Sequence, residues 1–328
     1  MRHHVRVALL GLSLVALTHL GLQAGTAHAE PAIKISGFVD SSLVYVFTPK
    51  LLADQGLFLG LDQVELDFDV AIVQGLRLRT DLNFFPHAGI DTTGGPVSVF
   101  DQIVEQGFAE YNFDGTDKGV FLRAGKWNAP VGFEVTDPTG LWQYSQGLLF
   151  THATPTNLTG FAFGWIGETT QAQLWLTNDW DTPSTAKDTN IGGRVQQAVG
   201  DVGTIGVSAT YGSFVEDPAK LMIDLDLAFT FDKLKLGGEF NYGKQGDNDS
   251  IGFLLSANYT ISDLVGVTAR FDYLDRKILD LPYKGMSITG AGLFTLTPGL
   301  TLVAEVRADM PDGGDTAVTG ALELTAAF

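Results

Sequence analysis

LMIDLDLAFTFDKLKLGGEFNYG, residues 221–243, restricts the fold more than any other stretch of the chain. In its first half Leu221, Ile223, Leu225, Leu227, Phe229 and Phe231 alternate with Met222, Asp224, Asp226, Ala228 and Thr230. Successive side chains of a strand turn to opposite faces, so this is a strand with one apolar face and no 3.6-residue helical period. Asp232-Lys233 predicts a tight reversal. Leu234, Leu236, Gly238, Phe240 and Tyr242 then carry the apolar face onward, against Lys235, Glu239 and Asn241. A soluble sandwich would bury that apolar face. A transmembrane barrel would turn it to lipid and line a lumen with the other.

Composition narrows the choice. The chain has 328 residues, no cysteine, and 38 acidic against 20 basic side chains. Its apolar content of 45% is too high for a disordered acidic polymer. Without cysteine there are no disulfides and no thiolate metal sites, which is compatible with an exported protein. Arg2 and Arg6 precede an apolar and small run from Val7 to Leu22, and Ala27-His28-Ala29 follows as a small-x-small cleavage signal. Residues 1–29 therefore read as a cleaved secretory signal peptide, leaving 30–328 as the folded domain. Two arginines and no acid leave with it, so the net charge moves from −18 to −20, unsuited to nucleic acid. No later run approaches the roughly 18–20 apolar residues of a membrane helix, so any span must be a closed barrel.

Period-two segments cover the mature chain: 33–47, 61–70, 76–85, 103–113, 120–127, 160–167, 170–178, 190–198, 203–212, 220–231, 234–243, 250–260, 264–275, 286–296, 300–309 and 317–328. Their connections alternate in length. One set is short: 71–75, 114–119, 168–169, 199–202, 232–233, 261–263 and 297–299. The other runs from six residues (244–249) to 32 (128–159) and includes 48–60 and 86–102. Short periplasmic turns alternating with longer outer loops predict an all-β, antiparallel transmembrane barrel of about sixteen strands in a bacterial outer membrane. All 12 prolines fall outside the predicted strands.

That polarity fixes which strand ends face outward. Apolar-face aromatics at the outer ends are Tyr45, Phe47, Phe84, Tyr211, Tyr242 and Tyr273; at the periplasmic ends they are Tyr111, Phe113, Phe229, Phe231, Tyr259 and Phe328. Two girdles of this kind are what barrels place at the two lipid interfaces. A final phenylalanine on the lipid face, Phe328, resembles the signal read by the outer-membrane assembly machinery.

One block is more specific. It runs Ala124-Gly125-Lys126-Trp127, Pro130-Val131-Gly132-Phe133-Glu134, Tyr144-Ser145, Leu148-Leu149-Phe150, Pro155 and Gly160. It resembles the middle signature of the OmpL-like β-barrel porin family, over about forty residues, with the insert Asp137–Trp142 outside the match. The resemblance implies a diffusion channel and leaves the solute open.

Polar residues on the predicted inner faces include Arg77, Arg79, Asp81, Gln106, Glu110, Arg123, Lys126, Arg194, Lys235, Arg270, Asp272, Glu305 and Arg307. Strand counting puts Arg79, Glu110 and Arg123 at similar heights on three neighbours. Such a ladder either biases which ions pass or braces the wall as a salt-bridge network. The long connection 128–159 is too apolar to extend into water, and is expected to fold back into the barrel as its constriction. Asp137-Pro138 reads as a helix N-cap and first turn with Gly147 as its stop, and Glu134 and Asp137 would face the channel. The pore-lining candidates are thus Arg77, Arg79, Glu110, Arg123, Lys126, Glu134 and Asp137. His87 and His152 fall in outer loops with no serine partner, so no catalytic site is expected. Neither Gly246–Asp249 nor Asp312–Asp315 has dedicated calcium-loop spacing, and no metal or cofactor is expected. The expected function is a passive outer-membrane porin for small hydrophilic solutes or ions, possible as a homotrimer. The alternative is a non-conducting structural or adhesive barrel that binds a partner through its outer loops.

Overall fold

The computed structural model describes residues 31–47, 56–84, 103–181, 189–213, 218–278 and 282–328. The expected signal peptide 1–29, His87, and loop residues 48–55 and 85–102 lie outside the described residues. The strands are β1 (Ala32–Val46), β2 (Gly56–Val73), β3 (Leu76–Phe84), β4 (Val104–Asn112), β5 (Gly119–Asn128), β6 (Asn157–Ile166), β7 (Thr170–Asn178) and β8 (Thr189–Val199). They continue as β9 (Gly203–Ser213), β10 (Lys220–Phe231), β11 (Leu234–Gln245), β12 (Asn248–Ser262), β13 (Val265–Arg276), β14 (Tyr283–Thr297), β15 (Leu300–Pro311) and β16 (Ala317–Ala327). Each pairs antiparallel with its sequence neighbours, and β1 pairs with β16 to close the barrel.

The hairpin β10–β11 shows why these residues choose strands. Ile223 stands opposite Tyr242, Leu225 opposite Phe240, and Phe229 opposite Leu236, so the apolar faces of both arms coincide. Asp232 takes the left-handed backbone (φ 52°) that a two-residue turn needs and that aspartate tolerates.

Burial runs inside out relative to a soluble sandwich. Leu174 (67%), Leu255 (61%) and Val306 (58%) lie exposed on the outer face, while Asp224, Asp272 and Ser287 are wholly buried on the inner one. No helix among the described residues is long and apolar enough to cross a membrane. The strands supply an unbroken ring of paired backbone instead, which is the one sheet that lipid tolerates. Tyr45, Phe47, Phe84, Tyr111, Phe113, Tyr211, Phe231, Tyr259 and Phe328 are exposed, whereas Phe229, Tyr242 and Tyr273 are half-buried. Tyr45 packs edge-on against Phe47, and Tyr111 against Phe113.

The strands are longer than the alternation alone suggests. β2 begins at Gly56 rather than 61, and Gly246-Asp247 alone joins β11 to β12 where six residues were expected. β15 reaches Pro311, a proline at a strand end, where the ladder can spare its missing N–H.

Candidate pore constriction

Residues 129–156, between β5 and β6, pack against inward-facing side chains around much of the barrel. The anchors at the two ends of this loop are apolar. Val131 joins Trp127, Leu158, Ala162, Trp175 and Met222, all on inner faces, and Leu148 and Ala153 pack on Leu274. The wall is cut away to receive it: a Cβ at Gly237 of β11 would strike the Phe133 ring.

Wall side chains capture the loop backbone where no secondary structure does. Ser208 on β9 donates to the Pro130 carbonyl (3.3 Å), and Glu239 on β11 accepts from Phe133 N–H (2.7 Å). Thr268 on β13 donates to the Trp142 carbonyl (2.6 Å) and Glu305 on β15 accepts from Ser145 N–H (3.0 Å). Arg307 donates to the Gln146 carbonyl (2.6 Å), and Arg276 to that of His152 (2.8 Å). Buried backbone groups need such partners, and these strands provide them.

The loop's helices differ from expectation. Asp137 does stand at the N-cap of a 3-10 turn, Pro138–Gly140, but makes no side-chain cap bond. Gly147 does not stop a helix; it caps the start of α1 (Leu148–His152). The physical reason lies outside the helix's own residues. The bare N–H groups of a helix start seek acceptors, and Glu134 accepts from Gly147 N–H (2.6 Å) while Asp272 of β13 accepts from Leu148 N–H (2.9 Å).

Arg270 is the centre of this network. Its guanidinium donates to Glu134 (2.8 Å), to the Ser145 carbonyl (2.5 Å) and hydroxyl (3.2 Å), and to Thr289 (3.2 Å). It also lies 3.2 Å from Asp272, which accepts from Ser287 (2.7 Å). Burial pushes the Glu134 carboxyl above the ordinary range, and Arg270 and the Gly147 N–H pull against that shift.

The predicted pore residues are distributed as follows. Arg77 pairs with Asp69 (2.5 Å), and Arg79 with Asp81 (2.6 Å) and Asp67 (3.3 Å). Glu110 pairs with Arg123 (2.5 Å), whose guanidinium lies over Phe108, Phe121 and Trp127 at 4.8, 5.3 and 5.8 Å. Glu110 stands in register with Arg77, not Arg79, so the three-strand ladder is really two ion-pair groups. Lys126 stands three residues from the inward Arg123 and four from Leu122, so it falls on the outward face with Leu122. Its Nζ donates to the Val104 carbonyl (2.7 Å). Glu134 is bound to Arg270 rather than free. Asp137 meets Glu65 and Glu105; burial first, then Glu105, Asp67 and Asp81, push its carboxyl up to about 7.

Arg194, Asp226 and the glutamines of β7 and β8 complete the picture. Arg194 binds Asp226 (2.5 and 2.9 Å) and Ser208 (3.0 Å). A cavity of about 360 Å³ is lined by Pro130, Asp137, Phe150, Arg194 and Gln196. A second, of about 120 Å³, shares Pro130, Arg194 and Gln196 and adds Arg123, Gln171 and Gln173. Both cavities therefore set charged and amide side chains beside apolar ones, along β5–β8.

His152 ends α1, stacked on Tyr283 at 5.2 Å. Burial, then Arg276 and Arg307, hold its imidazole below the ordinary range, with Asp309 opposing. A depressed imidazole favours the docked loop when neutral, so docking is full above the ordinary imidazole value of 6.5 and weakens as acid protonates it. Amide protection factors at Leu148–Ala153, taken relative to the intrinsic exchange rate at each pH, are expected to fall between about pH 7.5 and about pH 5.5, and a His152→Gln variant to lose that dependence. Equal acid sensitivity in the variant would assign the effect elsewhere.

Residues 33–321 match the family described as "Putative beta-barrel porin-2, OmpL-like". No curated protein matches the sequence. Among solved structures, the outer membrane channel DcaP of Acinetobacter baumannii superposes with a TM-score of 0.67 at 11% identity, over 92% of this chain and 99% of that one. The anion-selective porin from Comamonas acidovorans gives 0.63 at 17% identity, over 91% and 100%. The trimer form of Vibrio cholerae OmpT gives 0.66 at 10%, over 92% and 100%. At such identities the likeness establishes the fold, and the family match extends over nearly all of the barrel. The chain belongs to the OmpL-like β-barrel porin family, and is a porin channel of the bacterial outer membrane.

Proposed function

We propose that the channel is passive, carries small hydrophilic solutes and ions, and is narrowed by residues 129–156. The observation that supports this most is the capture of the loop backbone by buried side chains of β9, β11, β13 and β15. Such a loop does not swing like a lid, and the arginines and glutamines lining the cavities beside it suit hydrated solutes. Planar-bilayer recording of the purified protein tests the reading. Stepwise conductance is expected; a folded barrel in lipid without steps would leave the structural or adhesive alternative.

The orientation follows from loop length. Asp247 is placed outside the cell, and Gly115 and Pro298 in the periplasm. Single cysteines at these sites, treated on whole cells with an impermeant thiol reagent, should label at Asp247 alone. Labelling at Pro298 but not Asp247 would invert the topology. Thr92 and Ser184, also expected outside, lie beyond the described residues.

Arg79 and Arg123 remain partly open to the lumen, with side chains 24% and 18% exposed. Replacing both by glutamine leaves Asp67, Asp81 and Glu110 uncompensated, so the reversal potential should move toward cation preference. The shift should shrink in concentrated salt, since screening acts over about 10 Å at 0.1 M. Unchanged selectivity with a lower melting temperature would make these arginines braces only. Assembly as a homotrimer is part of the same reading, supported by the trimer form of OmpT among similar structures.

A further inference from the structure

On the wall formed by β2 and β4, away from Arg270, the loop makes a second contact of a different kind. Glu65 of β2, Glu105 of β4 and Asp137 of the loop each bring a carboxylate oxygen within 4.8 Å of the other two. Glu65 is 1% exposed and Glu105 6%. Among the described residues no lysine or arginine pairs with any of the three; the nearby Arg79 is engaged by Asp67 and Asp81.

Neutral donors cover the group only in part. Gln63 and Asn83 donate to Glu65 Oε2 (3.0 and 3.1 Å). Asn83 and Asn128 donate to the two oxygens of Glu105 (2.7 and 2.8 Å). Glu65 Oε1, on a side chain that is almost wholly buried, has no hydrogen-bond partner, and neither has Asp137 Oδ1. A buried carboxylate oxygen left bare beside two other acids is the arrangement that a positive ion relieves.

We propose that Glu65, Glu105 and Asp137 form a binding site for a hard divalent cation of the calcium class, which clips the loop to the β2–β4 wall. All donors are oxygens, as hard cations require, and two come from strands while the third rides on a turn that can adjust. That mixture suits the larger, geometrically tolerant Ca²⁺ better than Mg²⁺, which demands a near-ideal octahedron. Asn83 strengthens the assignment. Its Nδ2 touches both glutamates while its Oδ1 has no partner. Turning the amide over would present a neutral oxygen to the ion. The loop is then held at two points, by Arg270 through Glu134 and by the ion through Asp137.

The test is calorimetric titration of the full folded barrel in detergent, stripped with EDTA and dialysed, using CaCl₂ and separately MgCl₂. One Ca²⁺ per chain is expected, bound more tightly than Mg²⁺. Glu65→Gln and Asp137→Asn should each weaken it by at least about tenfold. Asp137 is outside the sheet, so its variant tests the site even where Glu65→Gln fails to assemble. Asp263→Asn, on an exposed turn, should bind as the parent does. Absence of saturable Ca²⁺ binding would overturn the site and leave these acids holding protons. Binding unchanged in Asp137→Asn, or stronger for Mg²⁺, would overturn it as well. The titration needs no conducting pore, so its failure is distinct from failure of the channel reading.

Discussion

Replacing Arg270 by methionine should raise single-channel conductance and lower the barrel's unfolding free energy by about 3–5 kcal/mol, the loss typical of breaking a buried ion pair from one side. Methionine fills much of the volume of the arginine stem but brings no charge. Glu134, with a side chain 1% exposed, and Asp272, at 0%, would then be buried acids without their cation. The Ser145 carbonyl would lose its donor in the same step. The cheapest relief is for the loop to lift away from β13, which lets water reach both carboxylates and widens the passage. Loss of loop docking and loss of stability are therefore coupled here, unlike at an exposed pair. A second substitution, Glu134→Gln, removes one of the stranded charges and should recover part of the stability. Planar-bilayer conductance and urea unfolding in vesicles measure the two effects. Lower stability with conductance unchanged would show that the loop is held without Arg270.

Most of the barrel was legible because the alternation of side chains along a strand is a direct consequence of backbone geometry. In β10 and β11 even the register follows from the sequence, since a two-residue turn at Asp232-Lys233 must bring Ile223 opposite Tyr242. The loop 129–156 was legible as an inward-folding segment but not in its detail. Its length and its apolar residues point inward; its helix boundaries do not follow from the residues of the helices themselves. Gly147 begins a helix because Glu134 and Asp272 supply acceptors for the first N–H groups, and Asp272 lies 124 residues farther on. Local signals carry no trace of such a partner.

The charged wall shows two other kinds of loss. Barrel strands are tilted and staggered, so residues counted to equal heights from their strand ends are not paired neighbours. That is why Glu110 meets Arg77 in register and Arg123 in an ion pair, while Arg79 faces Phe108 and binds acids of β2 and β3. A register shift between Asp81 and Leu82 sets Asp81 against Gln106 and Leu82 against Val104. Glu105 is thereby left without a strand partner and reaches the same buried cluster as Asn83, although strict alternation, with its neighbour Gln106 inward, would send it to the lipid face. The acids around Asp137 were thus hidden by a bulge, a feature that strand periodicity averages away. Lys126 needed no structure to place: its parity with Leu122 already puts it outside.

Deleting Glu134 to Phe150 should give the largest change in conductance of any alteration, at least about a doubling, because a barrel of sixteen strands without an inserted loop is an open aqueous channel. The sheet itself should survive. Every strand pairing, including the closing pair of β1 with β16, is made without these residues. The polar wall beneath also accepts water readily: Asp272, Glu305 and Arg307 exchange loop partners for solvent, which relieves the desolvation that docking imposes. Leu254 and Leu274, both wholly buried, are among the apolar side chains then bared to the lumen. Their exposure is a modest cost beside the area of the paired sheet. Larger sugars should enter liposomes faster through the shortened protein, in step with the conductance. Removal of Arg270 should then add nothing further to conductance, because the loop segment on which it acts is gone. A folded deletion variant with parental conductance would mean that residues 134–150 do not bound the path taken by ions.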